Sequence, residues 1–311
     1  MWNIDGGIMD TTRRKEIKKL IRKDGGILDK KSTGEKILFA IVFCIFAIHS
    51  FTLIFPVLWM IMSSFKGPLE YMGGEVFRLP ETWRFGNYAE AFRVLNVGET
   101  NFLGMTFNSI WYTAIRTVCG VFIPAATGYV MSKYRFPGWN VIFSVAIISM
   151  IIPIVGNTAS KMQIISTLQL MDTPLFVVVD SLGGFGGTFL VFYGFFKALS
   201  WSYAEAVMID GGGHFVIFLK IMLPQAAPIL LTYAITGSIE FWNEYETIIL
   251  FLHSYPTLAS GLFEYQSNAI RLANYPIYFA GLIISIIPTL LIFSIFSDRI
   301  MTSVSIGGLK G

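Results

Sequence analysis

Long apolar blocks dominate this sequence and limit what it can fold into. Six blocks stand out in a window of about 19 residues, near 37–63, 106–131, 139–159, 174–196, 225–247 and 276–297. Each is close to the length of about 20 residues at which an apolar helix crosses a bilayer. Only 14% of the residues are charged and 54% are hydrophobic, which argues against a soluble domain. The sequence therefore predicts an all-α, polytopic membrane protein with six transmembrane helices.

Lysine and arginine are unevenly distributed among the segments between these blocks. The first 36 residues hold ten of the 23 Lys and Arg. If the N-terminus is cytoplasmic, segments on that side hold 16 of them and outside segments hold six. Cytoplasmic loops are enriched in Lys and Arg, so both termini and the loop 197–224 are predicted to be cytoplasmic. We expect a basic tail at 1–36, a six-span domain at 37–300 and a C-terminal tail at 301–311. Because the basic tail lies beside a membrane span, we expect its charges to serve membrane orientation and predict no nucleic-acid partner.

Signatures of catalysis are not found in the sequence. It contains no GxxxxGK[ST] phosphate loop, and "KKSTGEK" at 30–36 has similar residue types without the required order. The three histidines, His49, His214 and His253, lie in different blocks or on different sides of the membrane. We therefore predict that the chain is not an enzyme, has no catalytic or metal-binding residues and binds no cofactor itself.

The loop "AEAVMIDGGGHFVIFLKIMLP", residues 204–224, is unusual among such apolar surroundings. Residues 202–209 have the pattern of a short helix, with Glu205 in the first turn, where a carboxylate suits the helix dipole. Asp210 and Gly211 to Gly213 end this helix, because glycine adopts left-handed dihedrals at little cost. A second helix is predicted from about His214 to Met222, stopped by Pro224, with one apolar face made of Phe215, Phe218, Leu219 and Met222.

The pattern Glu205-Ala206-x-x-x-Asp210-Gly211, followed by Leu223-Pro224, resembles the "EAA" loop of ABC-importer permeases. Further stretches resemble the binding-protein-dependent, MalG-like sugar branch of that family: "NSIWYTAIRTVCGVFIPAATGYVMSKYRFPG" (108–138), "MIIP" (150–153), "FWNEY" (241–245) and "SIGGLKG" (305–311). Two residues depart from the family pattern. Val207 replaces the third alanine, and Gly212 replaces the alanine that usually follows Asp-Gly.

The resemblance implies a type I ABC importer with the MetI-like permease fold, located in a bacterial-type cell membrane. The chain would form half of the pathway for a sugar or oligosaccharide delivered by an extracytoplasmic binding protein. It would act with a second permease subunit and two ATPase domains, which bind ATP and Mg. The residues implied in contact with the ATPase are Glu205, Ala206, Asp210, Gly211 and Gly212. The alternative is that 203–223 is only an amphipathic connector.

Charged residues within apolar spans indicate a second candidate site, because a charge inside a bilayer is costly. Arg116, Asp180 and Glu240 lie roughly 8 to 15 Å from the outer edge at about 1.5 Å per residue, so they are able to meet. One interpretation is a polar cavity in which they bind sugar hydroxyls, with Trp242 and Asn243 as neighbours. The other is an internal ion pair that locks the helices together without contacting a ligand.

Other functions remain open on the residues alone. The same architecture could carry a non-sugar solute such as a peptide or a phosphodiester. A secondary transporter would need its own coupling-ion site and usually more spans or an inverted repeat, and neither is seen. An intramembrane enzyme would need a catalytic constellation that the three histidines do not supply.

Overall fold

The structure, a computed structural model, describes residues 33–74, 76–152, 156–272 and 274–308. The chain divides into two compact units, Met1–Trp59 and Met60–Gly311. The described residues are helical and contain no β-strand, with one isolated bridge between Val97 and Thr100. The predicted basic tail lies mostly outside the described residues, as do residues 309–311 of the predicted C-terminal tail.

Fifteen α-helices and one π-helix make up the described part of the chain. They are α1 Thr33–Ser64, α2 Pro68–Met72, α3 Gly86–Val94, α4 Phe102–Lys133, α5 Trp139–Ile151, α6 Thr158–Thr167, α7 Pro174–Asp180, α8 Gly187–Ala198, α9 Ser202–Ile209, α10 His214–Val216, π1 Ile217–Met222, α11 Leu223–Gln225, α12 Ala227–Trp242, α13 Glu246–Phe251, α14 Leu258–Leu272 and α15 Tyr275–Gly308. Helix α15 continues to Gly308, so it does not end at the predicted boundary between residues 300 and 301.

Three helices of the described chain are long and apolar enough to cross a membrane: α1, α4 and the part of α15 from Tyr275 to Phe296. They match the first, second and sixth predicted spans. The fifth is a bent pair, in which residues 214–225 meet α12 at an angle of 74°. Counting this pair as one span raises the number to four, so the predicted count of six transmembrane helices is not confirmed.

The third and fourth predicted spans differ most from expectation. The helix in the third, α5, has only 13 residues, and Pro153 lies outside the described residues. The fourth is divided into α7 and α8 by residues 181–186. The backbone of Gly184 approaches α4 there, since Thr127 donates a hydrogen bond to its carbonyl oxygen at 2.8 Å. A Cβ on Gly184 would stand 2.7 Å from the Thr127 methyl group, so a side chain has no room.

Helix α4 is the element against which the second unit packs most extensively, with α8 on one side and α12 on another. At Gly128 a Cβ would lie 2.9 Å from the backbone nitrogen of Tyr193 on α8. Small residues of this kind let helices approach closely within a membrane. Near the Lys133 end of α4, Tyr129 and Ala125 are buried with Phe192 and Phe196 of α8. The chain that follows α8 packs on this cluster through Ala204, Ile217, Phe218 and Met222.

The segment between α1 and α4 forms the short helices α2 and α3. The amide of Asn87 donates to the carbonyl oxygens of Ser64 at 2.7 Å and Lys66 at 2.9 Å. The Ser64 hydroxyl is 2.8 Å from that of Tyr88. These bonds satisfy the last carbonyl group of α1, that of Ser64, and join the segment to the end of that helix.

Candidate functional site

The first candidate site is a hairpin made of residues 202–225, in which α9 and the second helical stretch are joined by a glycine turn. Helix α9 ends at Ile209, Asp210 is its C-cap residue, and Gly211 has a φ of +81°. The N–H of Gly211 donates to the carbonyl of Met208 at 3.0 Å, and that of Gly212 donates to Val207 at 2.8 Å. The turn therefore caps the last carbonyl groups of α9, as the sequence predicts for Asp210 and the glycines.

Gly212 is needed for space rather than for dihedral angle. A Cβ placed on it would collide with the Cγ1 methyl of Val207 and lie 3.0 Å from the Val207 carbonyl oxygen. Val207 and Gly212 are the two departures from the family pattern of the EAA loop. The larger side chain at 207 thus faces the smaller residue at 212, and the turn keeps its shape.

The second stretch of the hairpin is not the regular α-helix that was predicted. It contains the π-helical segment Ile217–Met222, whose wider turn brings residues i and i+5 to one face. Ile217, Phe218 and Met222 are accordingly buried, whereas Phe215 is 71% exposed. The predicted apolar face is therefore wrong for Phe215. Pro224 does not stop the helix either: it lies inside α11, and the bend follows at Ala226.

Burial divides the hairpin into a base and an exposed end. In α9 only Ala204 is buried, and it packs with Ile217, Phe218 and Met222 against α4 and α8. Of the residues predicted to contact an ATPase, Glu205, Ala206, Asp210 and Gly211 are exposed, and Gly212 is half-buried. This arrangement presents an acidic surface on a base that the core holds in place.

Two residues at the end of α4 hold the base of the hairpin, and no sequence signal indicated their role. The ammonium group of Lys133 donates to the carbonyl oxygen of Leu199 at 2.6 Å, just before α9 begins. The hydroxyl of Tyr134 lies 2.9 Å from Nδ1 of His214, just after the turn. Both residues lie in "SKYRFPG" (132–138), the end of a stretch that carries the family resemblance.

The second candidate site is a cluster of charges shared by α4, α6 and α7. Nη1 of Arg116 is 2.8 Å from one carboxylate oxygen of Asp180, and Nζ of Lys161 is 2.6 Å from the other. Arg116 also donates to the hydroxyl of Ser181 at 3.3 Å. The meeting of Arg116 and Asp180 was predicted. Lys161 lies between the third and fourth predicted spans and was therefore counted among the outside residues. Its part in the cluster was not predicted, because α6 is not one of the predicted spans.

The surroundings of this cluster are aromatic and little exposed. The side chains of Arg116 and Asp180 are 18% and 13% exposed. The Arg116 guanidinium lies 5.0 Å from the centre of the Phe241 ring, and the Lys161 ammonium lies 5.1 Å from that of Phe251. Cations are attracted to aromatic faces at such distances. Both oxygens of Asp180 thus have a cation, which favours the interpretation of an ion pair that locks the helices.

The other predicted pathway residues lie elsewhere on α12 and after it. The structure does not bring Glu240 to the cluster: its carboxylate is exposed and has no ion pair within the described part of the chain. Trp242 is 6% exposed and donates from its indole nitrogen to the carbonyl of Ser285 at 3.0 Å, so it belongs to the core. Asn243 is exposed, and its amide donates to the Ile239 carbonyl at 2.7 Å.

Comparison with protein families shows which family this chain belongs to. The family model described as "Binding-protein-dependent transport system inner membrane component" matches residues 127–305, more than half of the chain. The chain belongs to this family. Inner membrane components of this kind are transport subunits and not enzymes. The predicted resemblance to ABC-importer permeases is thereby confirmed, together with a location in the membrane.

Several curated members of the family are similar along most of their length. NgcG of Streptomyces coelicolor, a diacetylchitobiose uptake system permease protein, is 28% identical, with 87% of this chain and 89% of that protein covered. AraQ of Halalkalibacterium halodurans, an arabinooligosaccharides transport system permease protein, is 28% identical, with 86% and 94% covered. SugB of Mycobacterium tuberculosis, a trehalose transport system permease protein, is 27% identical, with 82% and 92% covered.

A solved structure shares the fold of this inner membrane component. A chain of a bacterial ABC transporter involved in the import of the acidic polysaccharide alginate superimposes with a TM-score of 0.70. The match covers 87% of this chain and 99% of that one at 21% identity. The likeness shows that the chain has the MetI-like permease fold predicted from its sequence.

Proposed function

We propose that this chain is a permease subunit of an ATP-driven importer and forms half of the pathway for a sugar or oligosaccharide. The observation that carries the proposal is the hairpin 202–225, whose acidic end is exposed while its base is buried against α4 and α8. Relatives named for the uptake of diacetylchitobiose, arabinooligosaccharides and trehalose support a saccharide as the transported solute.

The proposed complex contains four kinds of component. This chain pairs with a second permease subunit, and two ATPase domains bind ATP and Mg on the cytoplasmic side. An extracytoplasmic binding protein delivers the sugar. Six crossings with both termini in the cytoplasm are consistent with the helices if α5, the pair α7 and α8, and the bent pair each count as one crossing. The excess of Lys and Arg in the cytoplasmic segments supports this orientation.

The exposed end of the hairpin is the proposed contact with the ATPase. Glu205, Ala206, Asp210 and Gly211 are accessible there, and the hydrogen bonds of the turn hold Asp210 and Gly211 to the end of α9. A rigid projection of this kind transmits displacement, because its base cannot shift without moving α4 and α8. We assign Gly212 the supporting role of fitting against Val207.

We propose different roles for the residues that were predicted to line the pathway. Arg116 and Asp180, together with Lys161, fix α4 against α6 and α7, since both cations contact the Asp180 carboxylate. Glu240 and Asn243 are the pathway candidates, because both are exposed on one end of α12 and carry groups that hydrogen-bond to sugar hydroxyls. Trp242 supports that end of α12 by packing in the core.

Uptake by the reconstituted complex tests this function. The chain, its partner permease, its ATPase and its binding protein are placed in liposomes, and labelled diacetylchitobiose, arabinotriose and trehalose are supplied with ATP. We expect uptake of at least one saccharide that requires both ATP and the binding protein. A labelled tripeptide and glycerophosphodiester serve as controls for the alternative solutes. Uptake of either control in preference to every saccharide would contradict the proposed substrate class.

A further inference from the structure

The end of α4 contacts the hairpin on both sides of its glycine turn, and one residue makes most of these contacts. Tyr134 directly follows α4, and its N–H donates to the carbonyl of Val130 at 3.0 Å, which fixes its backbone to the helix. Its ring lies edge-on to Trp201, which precedes α9, at 5.8 Å between centres. On the other side it lies edge-on to His214 at 5.3 Å. Tyr134 therefore bridges the two stretches of chain that enter and leave α9.

A chain of hydrogen bonds runs from the buried core to the hairpin through the same residue. The hydroxyls of Tyr129 and Tyr134 are 3.0 Å apart, and the Tyr134 hydroxyl is 2.9 Å from Nδ1 of His214. With the imidazole hydrogen on Nε2, Tyr129 donates to Tyr134, which in turn donates to His214. Each hydroxyl then has a defined direction, and such a chain holds the two elements in one relative position.

The inner end of this chain is anchored in the core. Tyr129 is 3% exposed. Its ring stacks on Phe218 of the π-helical segment at 4.9 Å and lies edge-on to Phe196 of α8 at 5.6 Å. A displacement of His214 therefore has a short route to α4, α8 and the second helix of the hairpin through two tyrosine side chains.

We propose that Tyr134 is a positioning residue that fixes the hairpin to α4, so that movement imposed on the hairpin by the ATPase is passed to this helix. The inference rests on the proposed function, because it assigns the transmission of force within the same coupling site. Tyr134 does not touch the ATPase in this assignment. It acts through His214 and Trp201, which flank α9 on its two sides.

Hydrogen–deuterium exchange of the assembled transporter in lipid nanodiscs tests the proposal. Peptides from α4 and from residues 214–222 are followed without nucleotide and with ATP and vanadate. In the unmodified complex we expect nucleotide to change exchange in both regions. In Tyr134→Phe, which keeps the ring and removes the hydroxyl, we expect exchange in 214–222 to rise about fivefold, the effect of losing one hydrogen bond of ordinary strength. The nucleotide response of α4 should be lost.

Matched variants separate positioning from general destabilisation. Tyr193→Phe removes a hydroxyl that has no hydrogen bond among the described residues, and it should respond to nucleotide as the unmodified complex does. His214→Gln keeps a side-chain acceptor for Tyr134, whereas His214→Leu removes it. We expect His214→Gln to retain the response of α4 and His214→Leu to lose it. Because His214 is exposed, this pair remains usable if Tyr134→Phe fails to assemble.

The results that contradict the inference differ from those that contradict the proposed function. A Tyr134→Phe or His214→Leu complex whose α4 responds to nucleotide like the unmodified complex overturns the inference. So does an unmodified complex that hydrolyses ATP and takes up sugar while α4 shows no response. Absence of ATP-dependent uptake by the unmodified complex instead contradicts the proposed function.

Discussion

At the scale of single residues, the turn of the hairpin depends on a complementary pair. Val207 fills the space in which a side chain on residue 212 would lie, and Gly212 leaves that space free. Each departs from the family pattern, but together they preserve the turn between α9 and the second helix. The sequence alone showed the two departures without showing that they are neighbours, because their contact depends on the φ of +81° at Gly211.

Gly212→Ala should therefore destabilise the hairpin only while Val207 is present. We expect the single variant to cost about 1–3 kcal/mol, as overpacking of a closed site does, and to lower the melting temperature of the purified complex. Val207→Ala should remove most of this cost when combined with Gly212→Ala. The four proteins form a double-mutant cycle. Equal costs of Gly212→Ala with valine and with alanine at 207 would contradict the proposed fit.

The charge cluster permits a second prediction at this scale. Asp180→Asn leaves Arg116 and Lys161 without their common anion, and breaking a buried pair in this way costs about 3–5 kcal/mol. We expect much less of this variant to survive detergent extraction. Combining it with Arg116→Met and Lys161→Met removes all three charges and should restore the yield.

Uptake by this triple variant distinguishes the two interpretations of the cluster. If the charges only lock the helices, the triple variant should transport sugar like the unmodified protein. A triple variant that is stable yet inactive would instead place the cluster in the sugar pathway. Lys161→Arg is the matched control, since it preserves the positive charge beside Asp180.

At the scale of elements, two glycines of the hairpin have different structural roles. Gly211 adopts a left-handed conformation that other residues reach only at a cost of about 1–2 kcal/mol. Gly213, two residues later, has a φ of −83° and open space around its Cβ position. Gly211 therefore resists replacement by a residue with a side chain, whereas Gly213 accepts one.

We expect Gly211→Val, combined with Asp210→Ala, to uncouple ATP hydrolysis from sugar uptake while the protein still inserts into the membrane. The cause is a distorted turn together with loss of the exposed acid. Gly213→Ala should have little effect and is the control. The measurement is the ratio of sugar transported to ATP hydrolysed in proteoliposomes. An unchanged ratio in the double variant would remove the hairpin from the coupling mechanism.

The accuracy of the sequence predictions also varies by element. Helix α9 was predicted with its observed bounds, because the serine, the early carboxylate and the following glycines are local signals. The π-helical segment was not predicted, since its spacing depends on how Ile217 and Met222 pack on α4 and α8. The division of the fourth span at residues 181–186 has the same origin: Gly184 makes a close contact with Thr127 that no local pattern shows.

At the scale of the whole molecule, the predicted orientation follows from charge and not from packing. The distribution of Lys and Arg favours one side for both termini and for the hairpin. The segment between α1 and α4 would then lie on the opposite face. Two exposed glycines with free Cβ positions, Gly86 and Gly213, lie in these two regions.

Single cysteines at these glycines should be labelled from opposite sides of the membrane. In a variant whose Cys44 and Cys119 are replaced by alanine, we expect an impermeant maleimide to label Gly86→Cys in intact spheroplasts. Gly213→Cys should react only after the membrane is permeabilised. Labelling of both cysteines from outside would show that the orientation is wrong, and the position of the proposed ATPase contact would be wrong with it.

The fit between Val207 and Gly212 also means that the order of changes at these two positions matters. In an ancestor with the family's alanines at both positions, a first change to valine at 207 would have crowded the alanine at position 212. A first change to glycine at 212 would only have opened space, which a later valine at 207 could fill. The less crowded route therefore passes through glycine at position 212, and a change of Gly212 to alanine is harder while Val207 is in place.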